Sequence, residues 1–243
     1  MKKNPPHPAR GKAARSPLPS GEREKTKRAD YSRLPVAAPG MRIGLLGGSF
    51  NPPHAAHRDI SLAALKRLGL DRIWWLVAPA NPLKNHELPR LEERVQAARK
   101  VAHHPRIDVT GFSGGSPYTI DLVKELKRHF PGVHFVWLMG ADNLADFHRW
   151  RAWESIFAML PIAVLDRPGH RLKGRASKAA QRFSLYMVDE SDAAGLALLE
   201  PPAWTILTHK LSPLSSTAIR AGKAKQEKAK GATTRGGYEN GRH

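Results

Sequence analysis

The sequence predicts an α/β fold: one domain on a doubly wound parallel sheet, flanked by disordered basic tails. Two observations carry this. Between residues 41 and 207, short apolar runs of strand length alternate with segments whose apolar residues recur at helical spacing. Strands separated by helices pair in parallel, because each helix returns the chain across the sheet before the next strand begins. In addition, the first apolar run ends in a glycine pair and gives way directly to a helical pattern. A strand that ends in glycine lets backbone N–H groups approach an anion, and the N-terminus of the following helix adds positive potential.

The elements follow in order. Ile43, Leu45 and Leu46 form a buried strand that closes on Gly47 and Gly48, and residues 55–68 carry Ile60, Ala63, Ala64 and Leu68 at helical spacing. Residues 72–77 (RIWWLV) are a second strand, ending in the proline-containing stretch 78–84. Leu91, Val95, Ala98 and Ala102 share one face of a helix over 91–103, and 106–112 reads as a strand. Residues 116–119 lead into a helix over 120–130 that stops at Pro131 and Gly132. The most apolar strand is 133–139 (VHFVWLM); a turn at 140–143 leads into the polar, aromatic segment 147–150. A helix over 153–159 and a strand over 162–165 follow, then shorter strands over 184–188 and 205–207. Ligands of such sheets sit beyond the carboxyl ends of the strands. The turns at Gly47, Ala78, Ser113, Gly140 and Asp166 are therefore expected to line one crevice.

The chain has 243 residues, 41% of them hydrophobic, enough for one sizeable core. Its net charge of +19 at first suggests nucleic acid, but the surplus is unevenly placed. Residues 1–40 carry ten Lys/Arg against three acids and 222–243 carry six against two, leaving +8 between them. That excess suits a domain that handles polyphosphates. Neither tail has hydrophobic periodicity, so 1–40 and 223–243 are expected to be disordered, solvated extensions. For 1–40 the alternative is that Met41 is the true start. No zinc-finger, RRM or helix-turn-helix signature supports a specific nucleic-acid partner. Cysteine is absent, which excludes disulfides and thiolate chemistry and fits a cytoplasmic protein. No apolar h-region follows the N-terminal basic residues, and no run approaches the ~18 apolar residues of a membrane span.

Two strings carry the chemistry. In 41–57, MRIGLLGGSFNPPHAAH, His54 and His57 stand three residues apart at a helix start and point toward one bound group. A metal site would need a third ligand, and His103, His104, His134 and His148 show no spacing for one. The arrangement suits a polyphosphate instead. In 214–220, LSSTAIR, Ser215, Ser216 and Thr217 open a short helix with Arg220 four residues after Ser216. Hydroxyls and free N–H groups at a helix start, with a guanidinium fork on the same face, also suit phosphate.

At these residues the chain resembles the nucleotidyltransferase superfamily marked by His-x-x-His after a glycine turn, and most closely its bacterial nicotinate-nucleotide adenylyltransferases. Ser49, Asn51 and Ala56 stand where that family has Thr, Asp and Gly; the last change would matter if the backbone needed positive φ. The string at 215–220 resembles the superfamily's second signature, at the triphosphate. Residues 116–119 with Asp121 resemble the family's Ser-x-Tyr-Thr segment, 140–144 its Gly-x-Asp segment at the adenosine ribose, and 147–150 the segment that lays an aromatic ring on the pyridine. By spacing alone, Asp142 also reads as a helix N-cap, Thr119 as the cap of the helix from 120, and Trp150 as a packing residue, although the functional readings are favoured.

The resemblance implies a Rossmann-like fold over about 41–222 and adenylyl transfer from ATP to nicotinate mononucleotide. It implies His54, His57 and Arg220 as catalytic residues. ATP would be bound by Gly47, Gly48, Ser49, Phe50, Asn51, Gly140, Asp142, Ser215 and Ser216. Nicotinate mononucleotide would meet Lys84, Tyr118, Thr119 and Trp150, and Arg167 would add a phosphate contact. Mg²⁺ would arrive with ATP, since no carboxylate cage for it is legible. The same core also serves phosphopantetheine adenylyltransferases and cytidylyltransferases, against which the Ser-x-Tyr-Thr segment and Trp150 argue. The oligomeric state is not legible.

Overall fold

The computed structural model describes residues 34–79, 88–111, 116–166 and 176–208. Six strands form one parallel sheet in the order β3-β2-β1-β4-β5-β6: β1 Arg42–Gly48, β2 Arg72–Val77, β3 Ile107–Gly111, β4 His134–Gly140, β5 Ile162–Leu165 and β6 Trp204–Leu207. The helices are α1 Ala55–Arg67, α2 Leu91–Ala102, α3 Thr119–His129, α4 Ala141–Asp146, α5 Trp153–Met159 and α6 Lys178–Arg182. The expected doubly wound architecture is present.

Alternation along the strands builds two cores, one on each face. Ile43 and Leu45, Trp74 and Leu76, and Phe135, Trp137 and Met139 pack with residues of α3, α4, α5 and α6. Leu46, Ile73, Trp75, Val77, Val136 and Leu138 pack with residues of α1, α2 and the 3₁₀ segment Glu190–Leu198. Strands buried on both faces read as continuous apolar runs, which is why RIWWLV and HFVWLM stood out. The chain moves outward from β1 in one direction through β2 and β3, and in the other through β4, β5 and β6. The topological switch lies between β1 and β4, and in such sheets ligands bind beyond the carboxyl ends of the strands there.

The expected strand over 184–188 is not formed. Ser184–Tyr186 is a 3₁₀ turn, and only Met187 makes an isolated bridge to Trp204. The reason is Phe183, whose ring stacks on Phe157 in the core at 4.1 Å. With Phe183 pointing inward, the chain turns immediately and leaves Leu185 94% exposed.

The segment Glu190–Leu198 is tied down by Glu190, which accepts from the Thr208 N–H (2.7 Å), the Thr208 hydroxyl (2.9 Å) and Arg67 Nη2 (2.8 Å). Burial pushes the Glu190 carboxyl up, but these donors outweigh it and hold it below the ordinary glutamate range. A depressed carboxylate stabilises the fold above its unfolded-state pKa and loses that contribution as pH falls through its folded one. Glu190→Gln is expected to cost about 1 kcal/mol at neutral pH. The difference in melting temperature should vanish on acidification through the glutamate range, as thermal melts across pH will test.

Candidate active site

Gly47 and Gly48 are the last residues of β1 rather than a turn beyond it. Gly47 is needed for close packing: a Cβ there would lie 2.7 Å from Cη2 and 2.9 Å from Cζ2 of Trp137. Gly47→Ala should push the indole aside and cost about 1–3 kcal/mol, visible as a lower denaturant midpoint.

The turn itself comes at Ser49–Pro53, and its left-handed residue is Phe50 (φ 46°), not a glycine. Burial of the Phe50 ring compensates for that backbone conformation. The side chain is 2% exposed, stacks on Trp75 at 5.0 Å and lies 4.8 Å from the His57 ring. Ala56 sits inside α1, fully buried and without positive φ, so its methyl is accommodated.

His54 is the N-cap of α1 and is 6% exposed; His57, three residues on, is half-buried. Their rings lie 3.8 Å apart. The His54 backbone N–H donates to Nδ1 of His57 at 3.2 Å. In its neutral form His57 therefore carries its proton on Nε2. Below it, Ser61 Oγ donates to the His57 carbonyl (2.8 Å) and accepts from Trp75 Nε1 (2.8 Å). The histidine is held by its ring nitrogen, its carbonyl and its aromatic neighbours together.

Across the switch point, Gly140 ends β4 and is the N-cap of α4, with Asp142 half-buried in the first turn. Tyr118 is the N-cap of α3 and Thr119 its first residue, so neither Asp142 nor Thr119 is the cap. Trp150 is half-buried, edge-on to Trp137 at 6.2 Å and 4.9 Å from Phe147. Since Trp137 also fills the space beside Gly47, one indole connects the end of β1 to Trp150. The Arg151 guanidinium lies over the Tyr118 ring at 4.6 Å, joining α3 to the residue after Trp150. Lys84, Arg167, Ser215, Ser216 and Arg220 lie outside the described residues. Among the described residues, no three His, Asp or Glu side chains gather as a metal site.

Sequence reasoning missed Arg94. It is 3% exposed and donates to the carbonyls of Ser49, Ala78, Pro79 and Pro89. The signal was available: Arg94 falls beside Leu91, Val95 and Ala98 on a face otherwise apolar.

Comparison with known proteins places the chain in a family. The cytidylyltransferase-like family pattern matches residues 45–222. A protein of Methylorubrum extorquens (strain PA1), named probable nicotinate-nucleotide adenylyltransferase, is 55% identical over 183 residues, covering 74% of this chain and 99% of that protein. The chain belongs to the nicotinate-nucleotide adenylyltransferase family. A relative of the same name from Ruegeria pomeroyi is 48% identical over 190 residues, 77% of this chain and 89% of its own. The fold is shared with the Plasmodium falciparum nicotinic acid mononucleotide adenylyltransferase complexed with NaAD, at TM-score 0.56 and 20% identity, over 74% of this chain and 83% of that one.

Proposed function

We propose that this chain transfers AMP from Mg–ATP to nicotinate mononucleotide, a step of NAD biosynthesis, and that residues 41–222 suffice. One observation carries the reading. The His54–His57 pair stands at the N-terminus of α1 beyond the end of β1, with the two rings 3.8 Å apart and His57 Nδ1 accepting from the His54 N–H.

In this reading a phosphate oxygen of nicotinate mononucleotide attacks the α-phosphorus of ATP in line. A bond forms between that oxygen and the α-phosphorus, and the bond from the α-phosphorus to the bridging oxygen of the β-phosphate breaks. The products are nicotinate adenine dinucleotide and pyrophosphate. The nucleophile is already an anion, so no covalent enzyme intermediate is required, and catalysis is positioning plus stabilisation of phosphoryl charge. His57, with His54 behind it, donates to the α-phosphoryl oxygens as their charge grows. Backbone N–H groups from Gly47 to Asn51 and the start of α1 hold the nucleotide phosphates. Gly140 and Asp142 receive the adenosine ribose. Ser215, Ser216 and Arg220 take the β- and γ-phosphates as pyrophosphate departs. Trp150 stacks on the pyridine ring, Thr119 and Tyr118 meet its carboxylate, and Lys84 contacts the mononucleotide phosphate. Mg²⁺, arriving with ATP as part of the substrate, would neutralise part of the phosphate charge.

Pyrophosphate release with Mg–ATP tests this, with nicotinate mononucleotide, nicotinamide mononucleotide and phosphopantetheine offered in parallel. Preference for the nicotinate substrate is the expected result; preference for phosphopantetheine would move the chain to another branch of the superfamily. A chain truncated to 41–222 should keep its activity, whereas a function resting on the basic tails would be lost. No helix among the described residues is long and apolar enough to cross a membrane. We assign the reaction to the cytoplasm, where a chain without cysteine has no redox constraint to meet.

A further inference from the structure

Arginine is almost never fully buried without a paired acid. Arg94, at 3% exposure, donates among the described residues only to carbonyls: Ser49 (2.8 Å), Ala78 (2.7 Å), Pro79 (3.1 Å) and Pro89 (3.0 Å). Among the described residues no carboxylate lies within ion-pair distance of it. Burial lowers its pKa from the ordinary value, and Glu92, at the exposed start of α2, acts against this only through space. A guanidinium stays charged even so. Among the described residues, carbonyl dipoles alone solvate this buried cation.

Its placement gives that charge a use. Ser49 and Ala78 follow the carboxyl ends of the neighbouring strands β1 and β2, and Pro79 and Pro89 flank residues 80–87. Arg94 Nη1 grips the carbonyl of the Ser49–Phe50 peptide, whose N–H belongs to Phe50. In a trans peptide the C=O and N–H point in opposite directions, so the Phe50 N–H faces away from Arg94, with the cation about 6 Å behind it. Among the described residues this N–H donates to nothing. A carbonyl bonded to a cation polarises its own peptide and makes the N–H a stronger donor.

We propose that Arg94 is a positioning residue for the polyphosphate: it fixes the Ser49–Phe50 turn and supplies, through that peptide, buried positive charge felt by the bound anion. The inference rests on the adenylyl-transfer reading of this crevice. It differs from a purely architectural role because a scaffold would affect every ligand alike, whereas a charge acts on anions.

The test uses the full chain, with Arg94→Gln (charge removed) and Arg94→Lys (charge kept, fork lost). Binding of inorganic tripolyphosphate and of adenosine is measured by calorimetry, with thermal melts alongside. Arg94→Gln should weaken tripolyphosphate about tenfold or more, the scale of a charge-assisted donor, and leave adenosine within about twofold. Arg94→Lys should recover most of the anion affinity even where its melting temperature stays low. Equal loss of both ligands in step with the melting temperature would overturn the proposal, as would wild-type tripolyphosphate affinity in both variants. If Arg94→Gln does not fold, Arg94→Lys decides alone: tripolyphosphate affinity near wild type despite a lowered melting temperature supports the charge, and loss of tripolyphosphate and adenosine in step with the melting temperature overturns it. Pyrophosphate release by the wild type is scored separately. Its absence would sink the adenylyl-transfer reading, while tripolyphosphate binding would still report on the anion site.

Discussion

His57→Ala is expected to lower kcat for dinucleotide formation by about 10²- to 10³-fold, the effect of removing one preorganised donor from a developing oxyanion. KM for either substrate should stay within a few-fold, because a donor that tightens only as charge grows lowers kcat and kcat/KM together. The proposed role of His57 rests on its orientation: its Nδ1 accepts from the His54 N–H at 3.2 Å, which puts the ring proton of the neutral form on Nε2. The ring is also fixed, lying 4.8 Å from Phe50 and 5.8 Å from Trp75, so little reorganisation is needed at the moment of reaction. The same substitution removes the acceptor of the His54 N–H and should cost about 1 kcal/mol of stability, so rates are compared well below the melting transition. His57→Gln returns an amide N–H near the Nε2 position and should recover part of kcat. A His57→Ala enzyme with kcat within threefold of wild type would remove the histidine from phosphoryl chemistry.

Much of the fold was legible because a parallel sheet covered on both faces demands unbroken apolar runs. RIWWLV and HFVWLM match β2 and β4 to within a residue, and the helices between them carry their apolar stripes openly. Failures came where apolar content and burial part company. In 184–188 the run SLYMV looks buried, yet the core takes Phe183 just before it and leaves Leu185 outside. Helix α4 was hidden because its six residues, ADNLAD, are too short to show a period, and Glu190–Leu198 winds as 3₁₀ with small residues inward. At the site, the histidine pair was visible from spacing alone. The division of labour around it was not, because it depends on contacts distant in sequence. Gly47 makes room for Trp137, ninety residues away; Phe50 takes the left-handed conformation that a reader assigns to glycine; and Arg94 reaches back to Ser49 from another helix.

Trp150→Ala is expected to raise KM for nicotinate mononucleotide by about 10- to 100-fold, the range of losing one aromatic stacking platform, with KM for ATP within twofold. Trp150 leans edge-on against Trp137 at 6.2 Å and against Phe147 at 4.9 Å, so its plane is set by neighbours and not by the ligand. Half-buried, it keeps part of its surface outside the core. A platform oriented in advance loses little entropy on binding, which is why its removal should appear in the affinity for the flat pyridine rather than in kcat. Trp150→Phe keeps a ring in the same place and should hold KM within about fivefold. Packing predicts the opposite division. If Trp150 only fills space between α4 and α5, Trp150→Ala lowers the melting temperature and leaves both KM values alone. The two roles are therefore separable on one pair of variants: stacking follows the aromatic ring, and packing follows the volume lost.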